Sequence, residues 1–153
     1  MQNPVLPVVI ALLLLDAAMS AGFEIGEDAK TKQIAEAIIQ AYSLEADYWR
    51  NPERYDSWQK LYDHYRLGFS AEIAEQLTEF TRTQDGDMAT WTPYQVRIIE
   101  HDEDSALAWF PTPEDFTHGP WALRPFMMVR LRREQNRWVI HWAADQDTLP
   151  EQP

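Results

Sequence analysis

The spacing of apolar residues changes once along this chain, and the change limits what it can fold into. Between Ile34 and Phe80 they recur every three or four positions; from Tyr94 onward they alternate. A helix brings positions i, i+3 and i+4 to one side, and a strand brings i and i+2 to one side. Helices therefore come first and strands after. The expected fold is α+β, with three helices packed on one face of a curved four-stranded antiparallel sheet.

The helical half divides at its turn signals. Residues 27–50 carry a stripe of Ile34, Ala35, Ile38, Tyr42, Ala46 and Trp49. Asn51-Pro52-Glu53 reads as the N-cap, first position and acidic first turn of a second helix. Its stripe is Tyr55, Trp58, Leu61, Tyr62 and Tyr65, and Gly68 suits its C-terminus. Ser70 caps a third helix with Ile73, Leu77 and Phe80 as core stripe, and Asp85-Gly86-Asp87 closes the helical half. After it, Tyr94, Val96 and Ile98 alternate with Gln95, Arg97 and Ile99, Asp102-Glu103-Asp104 turns, and residues 106–110 return as a strand. Residues 124–133 and 137–145 form a second hairpin around Gln135-Asn136. Pro150 and Pro153 mark residues 148–153 as a flexible tail.

Residues 5–23 are largely apolar, with Asp16 the one charged residue, and approach the roughly 20 residues that span a bilayer core. Residues 1–23 are expected to form an apolar helix acting as a membrane anchor, or else a signal peptide. Residues 1–4 lack the Lys or Arg of a signal peptide, while Ala18-Met19-Ser20 suits cleavage. A buried soluble helix is the third reading. In the first two, the domain at 24–147 lies outside the cytoplasm. It is then either a single-pass membrane protein or, after cleavage, secreted or periplasmic. Asp16 at mid-membrane would cost about 2.5–3.5 kcal/mol, so it suits a headgroup position or a partner helix.

The net charge of −12 opposes nucleic-acid binding, which needs a basic footprint to displace counterions. The absence of Cys excludes disulfides, thiolate metal sites and thiol nucleophiles. Within residues 123–142, however, five Arg face one Glu. That local reversal reads either as solvated arginines or as a contact face for an acidic partner.

The final strand, Asn136-Arg137-Trp138-Val139-Ile140-His141-Trp142, is similar to the last strand of the nuclear-transport-factor-2-like (cystatin-like cone) superfamily. Ser105-Ala106-Leu107-Ala108-Trp109 sits where members carry a small-residue strand after an acidic turn. The resemblance covers residues 27–147. Members place a short strand between the second and third helices, where this chain has only Leu67-Gly68-Phe69. Tyr55-Asp56-Ser57-Trp58 and Tyr62-Asp63-His64-Tyr65 resemble the second helix of membrane-anchored accessory proteins of type IV secretion and Mce-type transport machines. The resemblance implies a non-enzymatic assembly domain in a larger membrane complex. It also implies an alternative, because enzymes of the superfamily work at the mouth of the cone with an Asp or His base. Asp47, Tyr48 and His64 are the candidates for such a pocket, of isomerase, lyase or simple binding type.

No catalytic or phosphate-binding motif is present, and no cofactor is expected. His101-Asp102-Glu103-Asp104 lacks the spacing of a metal loop and reads as a charged hairpin tip. Alternation places Val129, Leu131, Trp138, Ile140 and Trp142 on the core face, and Val139, His141 and Ala143 opposite. The opposite face then gathers Arg97, Ile99, Leu107, Trp109, Phe126, Met128, Arg130 and Arg132. Aromatics, Met and Arg together are the composition of a protein interface. The partners expected there are proteins in or at the membrane, a second copy of this chain included. A slip in register would instead bury these side chains.

Overall fold

The computed structural model describes residues 29–83, 91–120 and 122–149. The expected anchor, residues 1–23, and the Asp85-Gly86-Asp87 turn lie outside them, as does the tail beyond Leu149. Among the described residues no helix is long and apolar enough to cross a membrane.

Three helices are followed by an open four-stranded sheet: α1 (Ala29–Arg50), α2 (Trp58–Tyr65), α3 (Ala71–Thr83), then β1 (Arg97–His101), β2 (Ser105–Pro111), β3 (Phe126–Glu134) and β4 (Arg137–Gln146). The strands form an antiparallel meander in the order β1-β2-β3-β4. Helix α1 packs on β1 and β4, and α3 packs on β4. The interior joins Ile34, Ile38 and Ala41 of α1 to Leu61 and Tyr65 of α2. These meet Ala108, Phe110, Val129, Leu131 and Ile140 of the sheet. Gln135 and Asn136 both take positive φ, 48° and 65°, as the tight β3–β4 turn requires.

The start of α2 differs from expectation. The Asn51 side chain makes no cap bond, and Pro52–Tyr55 forms a 3-10 turn. The Asn51 amide instead donates to the Asp47 and Tyr48 carbonyls and closes α1. Ser57 is the actual cap, its hydroxyl accepting from the Lys60 amide at 3.3 Å. Gly68 does not cap α2 either; the C-cap is Arg66, in the helical region. Gly68 is required because a Cβ there would lie 2.6 Å from both Cα and Cβ of Ala41. That approach lets residues 68–70 run beside β4, where the Ser70 amide donates to the Ile140 carbonyl at 2.8 Å. The Ile140 amide donates to the Gly68 carbonyl at 2.9 Å. Phe69 and Ile140 thus form a parallel bridge outside the four strands.

Helix α3 is rolled relative to its apolar stripe. Its buried residues are Ala74, Thr78 and Thr81, while Ile73 and Leu77 are half-buried and Phe80 is exposed. Small residues let the helix come close, and the Tyr65 hydroxyl pairs with Thr81 Oγ1 at 2.9 Å in the interior. A buried phenol needs such a partner more than α3 needs another apolar side chain inside.

Candidate functional site on the open face of the sheet

The expected interface residues come from three strands, and the hydrogen-bond register sets them in rows. Arg97, Trp109, Met128 and Ala144 stand side by side across β1 to β4. The next row is Glu100, Leu107, Arg130 and Trp142, and beyond it Arg132 pairs with Val139. Phe126 lies opposite Pro111 at the other end. The helices pack on the other side; on this side Trp142 is 38% exposed, whereas Val139, beside Arg132, is fully buried.

Two bulges correct the expected membership. Where β1 shifts register between Ile98 and Glu100, Ile99 is the extra residue, and Glu100 takes the place opposite Leu107. Where β3 and β4 shift between Arg130 and Leu131, His141 is extra. Trp142 consequently pairs with Arg130 on the open face rather than joining the core, and it is 38% exposed. Ala143, expected on the open face, pairs instead with Val129 and lines the helix side. One inserted residue inverts the alternation beyond it.

The rings and guanidinium groups interlock. The Arg97 guanidinium lies 5.6 Å from the Trp109 ring centroid, and that of Arg130 lies 5.5 Å from Trp142. Trp109 meets Phe126 edge to face, with centroids 5.6 Å apart at 89°. Each cation–π contact contributes on the order of 0.5–1 kcal/mol at exposed sites, so these pairs help to hold the aromatic planes in place. Arg132 is engaged differently: its Nη2 lies 2.7 Å from Glu134 and 3.3 Å from Glu72, tying β3 to α3. Arg66 joins the same Glu134 at 3.0 Å. Burial first, then Arg132 and Arg130, hold the His141 imidazole below its ordinary range. Neutral at physiological pH, His141 adds no charge to this face.

The structure also brings Asp47, Tyr48 and His64 together, around Tyr55, which the sequence placed on the apolar stripe and not among the pocket candidates. The Tyr55 hydroxyl donates to Asp47 Oδ2 at 2.6 Å, and its ring lies 4.3 Å from the His64 ring and 5.9 Å from that of Tyr48. His64 Nε2 is 2.8 Å from the Leu44 carbonyl, which can only accept, so Nε2 carries the hydrogen. It faces Asp47 Oδ2 at 3.9 Å. The Tyr55 bond is the main reason the Asp47 carboxyl sits below the usual carboxylate range. Burial and the same bond push Tyr55 up to about 12. A general base works best near the operating pH, and a carboxylate stabilised in its ionised form is a weak one. These contacts join α2 to α1.

At the β1–β2 tip, Asp102 accepts from the Asp104 and Ser105 amides and from the Ser105 hydroxyl at 2.7–2.8 Å. Its carboxylate is used inside the turn, which agrees with the hairpin-tip reading. Compared with models of known families, with curated proteins and with solved structures, the chain matches none.

Proposed function

We propose that this chain is a membrane-tethered, extracytoplasmic interaction domain that docks onto protein partners through the open face of its sheet. The observation that carries the proposal is a pair of neighbouring rows, one with Arg97 beside Trp109 and the next with Arg130 beside Trp142, two guanidinium groups stacked on two indoles. Trp and Arg are the residue types that dominate binding energy at interfaces, and here both kinds are already ordered. A surface with carboxylates around an apolar spot complements it, on a partner in or at the membrane or on a second copy of this chain. Two further features support an accessory-subunit role of the nuclear-transport-factor-2-like kind: three helices leading into a four-strand meander, and the bridge at Phe69, where that superfamily has its short strand. The pocket alternative built on Asp47, Tyr48 and His64 is less favoured, because its hydrogen-bonding groups are satisfied within the protein.

The test is the double substitution Trp109→Ala with Arg130→Glu. The fold should survive, with a melting midpoint close to wild type, because neither side chain is part of the interior cluster. Self-association or partner recovery from mild detergent should weaken by a hundredfold or more, about 3 kcal/mol. A folded variant with unchanged size and partners sinks the proposal; an unfolded one puts Trp109 in the core. The tether has its own check. The intact chain should stay with membranes through a carbonate wash, and an N-terminus beginning near Ala21 would show instead that the segment is removed.

A further inference from the structure

The apolar side chains that α3 keeps out of the interior border a cavity of about 430 Å³ between α1 and α3. Tyr42, Tyr65, Phe69, Leu77 and Phe80 form much of its wall, and Gln76 stands exposed at its border. One charged group belongs to the lining, Glu45. No described residue offers its carboxyl a hydrogen bond or an ion pair. Burial raises that carboxyl above the ordinary carboxylate range. A helix glutamate that merely borders a groove turns to water, whereas Glu45 is half-buried and shares the lining with Tyr42, Tyr65, Phe69 and Phe80.

The volume falls within the range of small-molecule sites, roughly 300–1,000 Å³, which are mostly apolar with a few polar groups fixing orientation. Both kinds of wall favour the same ligand. An unpaired carboxylate in low-dielectric surroundings is stabilised by a cation, and the faces of Tyr and Phe rings attract one as well. The remaining surface rewards an apolar body. We propose that this groove binds a small amphiphilic amine, its protonated nitrogen on Glu45 and its apolar chain or ring along Phe69, Leu77 and Phe80. The groove lies on the helix side, away from the Arg/Trp face, so this binding does not depend on the docking function.

Octylamine, octanol and octanoate share one chain and differ at the head group. Titrated separately into the full chain and followed by calorimetry, octylamine should bind at least tenfold more tightly than octanol, with octanoate weakest. Glu45→Gln keeps the shape and removes the charge. It should bring octylamine down to the affinity of octanol while leaving octanol unchanged, which also subtracts the general attraction of an acidic protein for cations. Leu77→Arg fills the groove from a half-buried position. It should abolish binding of all three probes while the circular-dichroism melt stays close to wild type. Octylamine binding equally well to wild type and Glu45→Gln overturns the proposal. So does octanoate matching octylamine, or no saturable binding by any probe. If Glu45→Gln does not fold, the rank order on wild type together with Leu77→Arg decides.

Discussion

Phe110→Ala is expected to destabilise the domain by about 3–5 kcal/mol, the range for removing a buried aromatic ring. Phe110 is fully buried on β2. Its ring meets Tyr42 of α1 edge-on, with centroids 5.1 Å apart at 84°, and Trp91 at 5.4 Å. It is therefore the point where the sheet, the long helix and the segment leading into β1 converge. The cavity left behind cannot close easily, because β2 is hydrogen-bonded on both sides, to β1 and to β3. Whole domains are stable by only about 5–15 kcal/mol, so this one side chain decides whether a large fraction of molecules is folded. Urea unfolding should show a lower midpoint with an unchanged slope. A loss below about 1 kcal/mol would show that the ring does not organise the core.

Gly68→Ala should cost about 3 kcal/mol, the upper end of overpacking, and Gly68→Val should prevent folding. The added methyl would meet backbone as well as side chain, with Cα and Cβ of Ala41 both at 2.6 Å and Leu44 Cδ1 at 3.1 Å. Helix α1 cannot yield at that point without losing its seat on the sheet, so residues 68–70 must move instead. Their bonds to Ile140 would then break. Two measurements check this. The Ile140 amide should lose hydrogen-exchange protection ahead of its β4 neighbours. The added change Ala41→Gly should recover part of the stability, because it removes the Cβ and leaves the Cα. A Gly68→Ala variant as stable as wild type, with Ile140 still protected, would mean that the close approach is not needed.

The division into helices and strands was legible because the two periods are local properties, readable over a few residues. The Gln135-Asn136 turn was legible for the same reason: it separates two alternating runs by two residues, and Asn136 tolerates positive φ better than most. Most of the open face was legible too, since Arg97, Leu107, Trp109, Phe126, Met128, Arg130 and Arg132 needed only alternation. Alternation failed at the bulges. Nothing near Ile99 or His141 announces an extra residue, so Glu100 and Trp142 were missed and Ala143 was misplaced. In α3, hydropathy assigned Ile73, Leu77 and Phe80 to the interior. The actual choice depended on a distant residue, Tyr65, whose hydroxyl needed Thr81. The Asn51-Pro52 signal marked a 3-10 turn instead of the second helix, whose cap is Ser57, and the contacts of Tyr55 with Asp47 and His64 hold that turn in place.

The borders of the sheet carry a consequence for solubility. Chains that display aromatic side chains on an open sheet risk growing into fibres, because a strand with free amides and carbonyls can template another. Here β4 has part of its outer border occupied by residues 68–70 of the same chain. At the opposite border β1 has only five residues, is interrupted by its bulge, and exposes Arg97 and Glu100. Length, twist and charge all discourage a neighbouring strand from adding there. Main-chain pairing between copies, which would propagate without limit, is thereby discouraged at both borders.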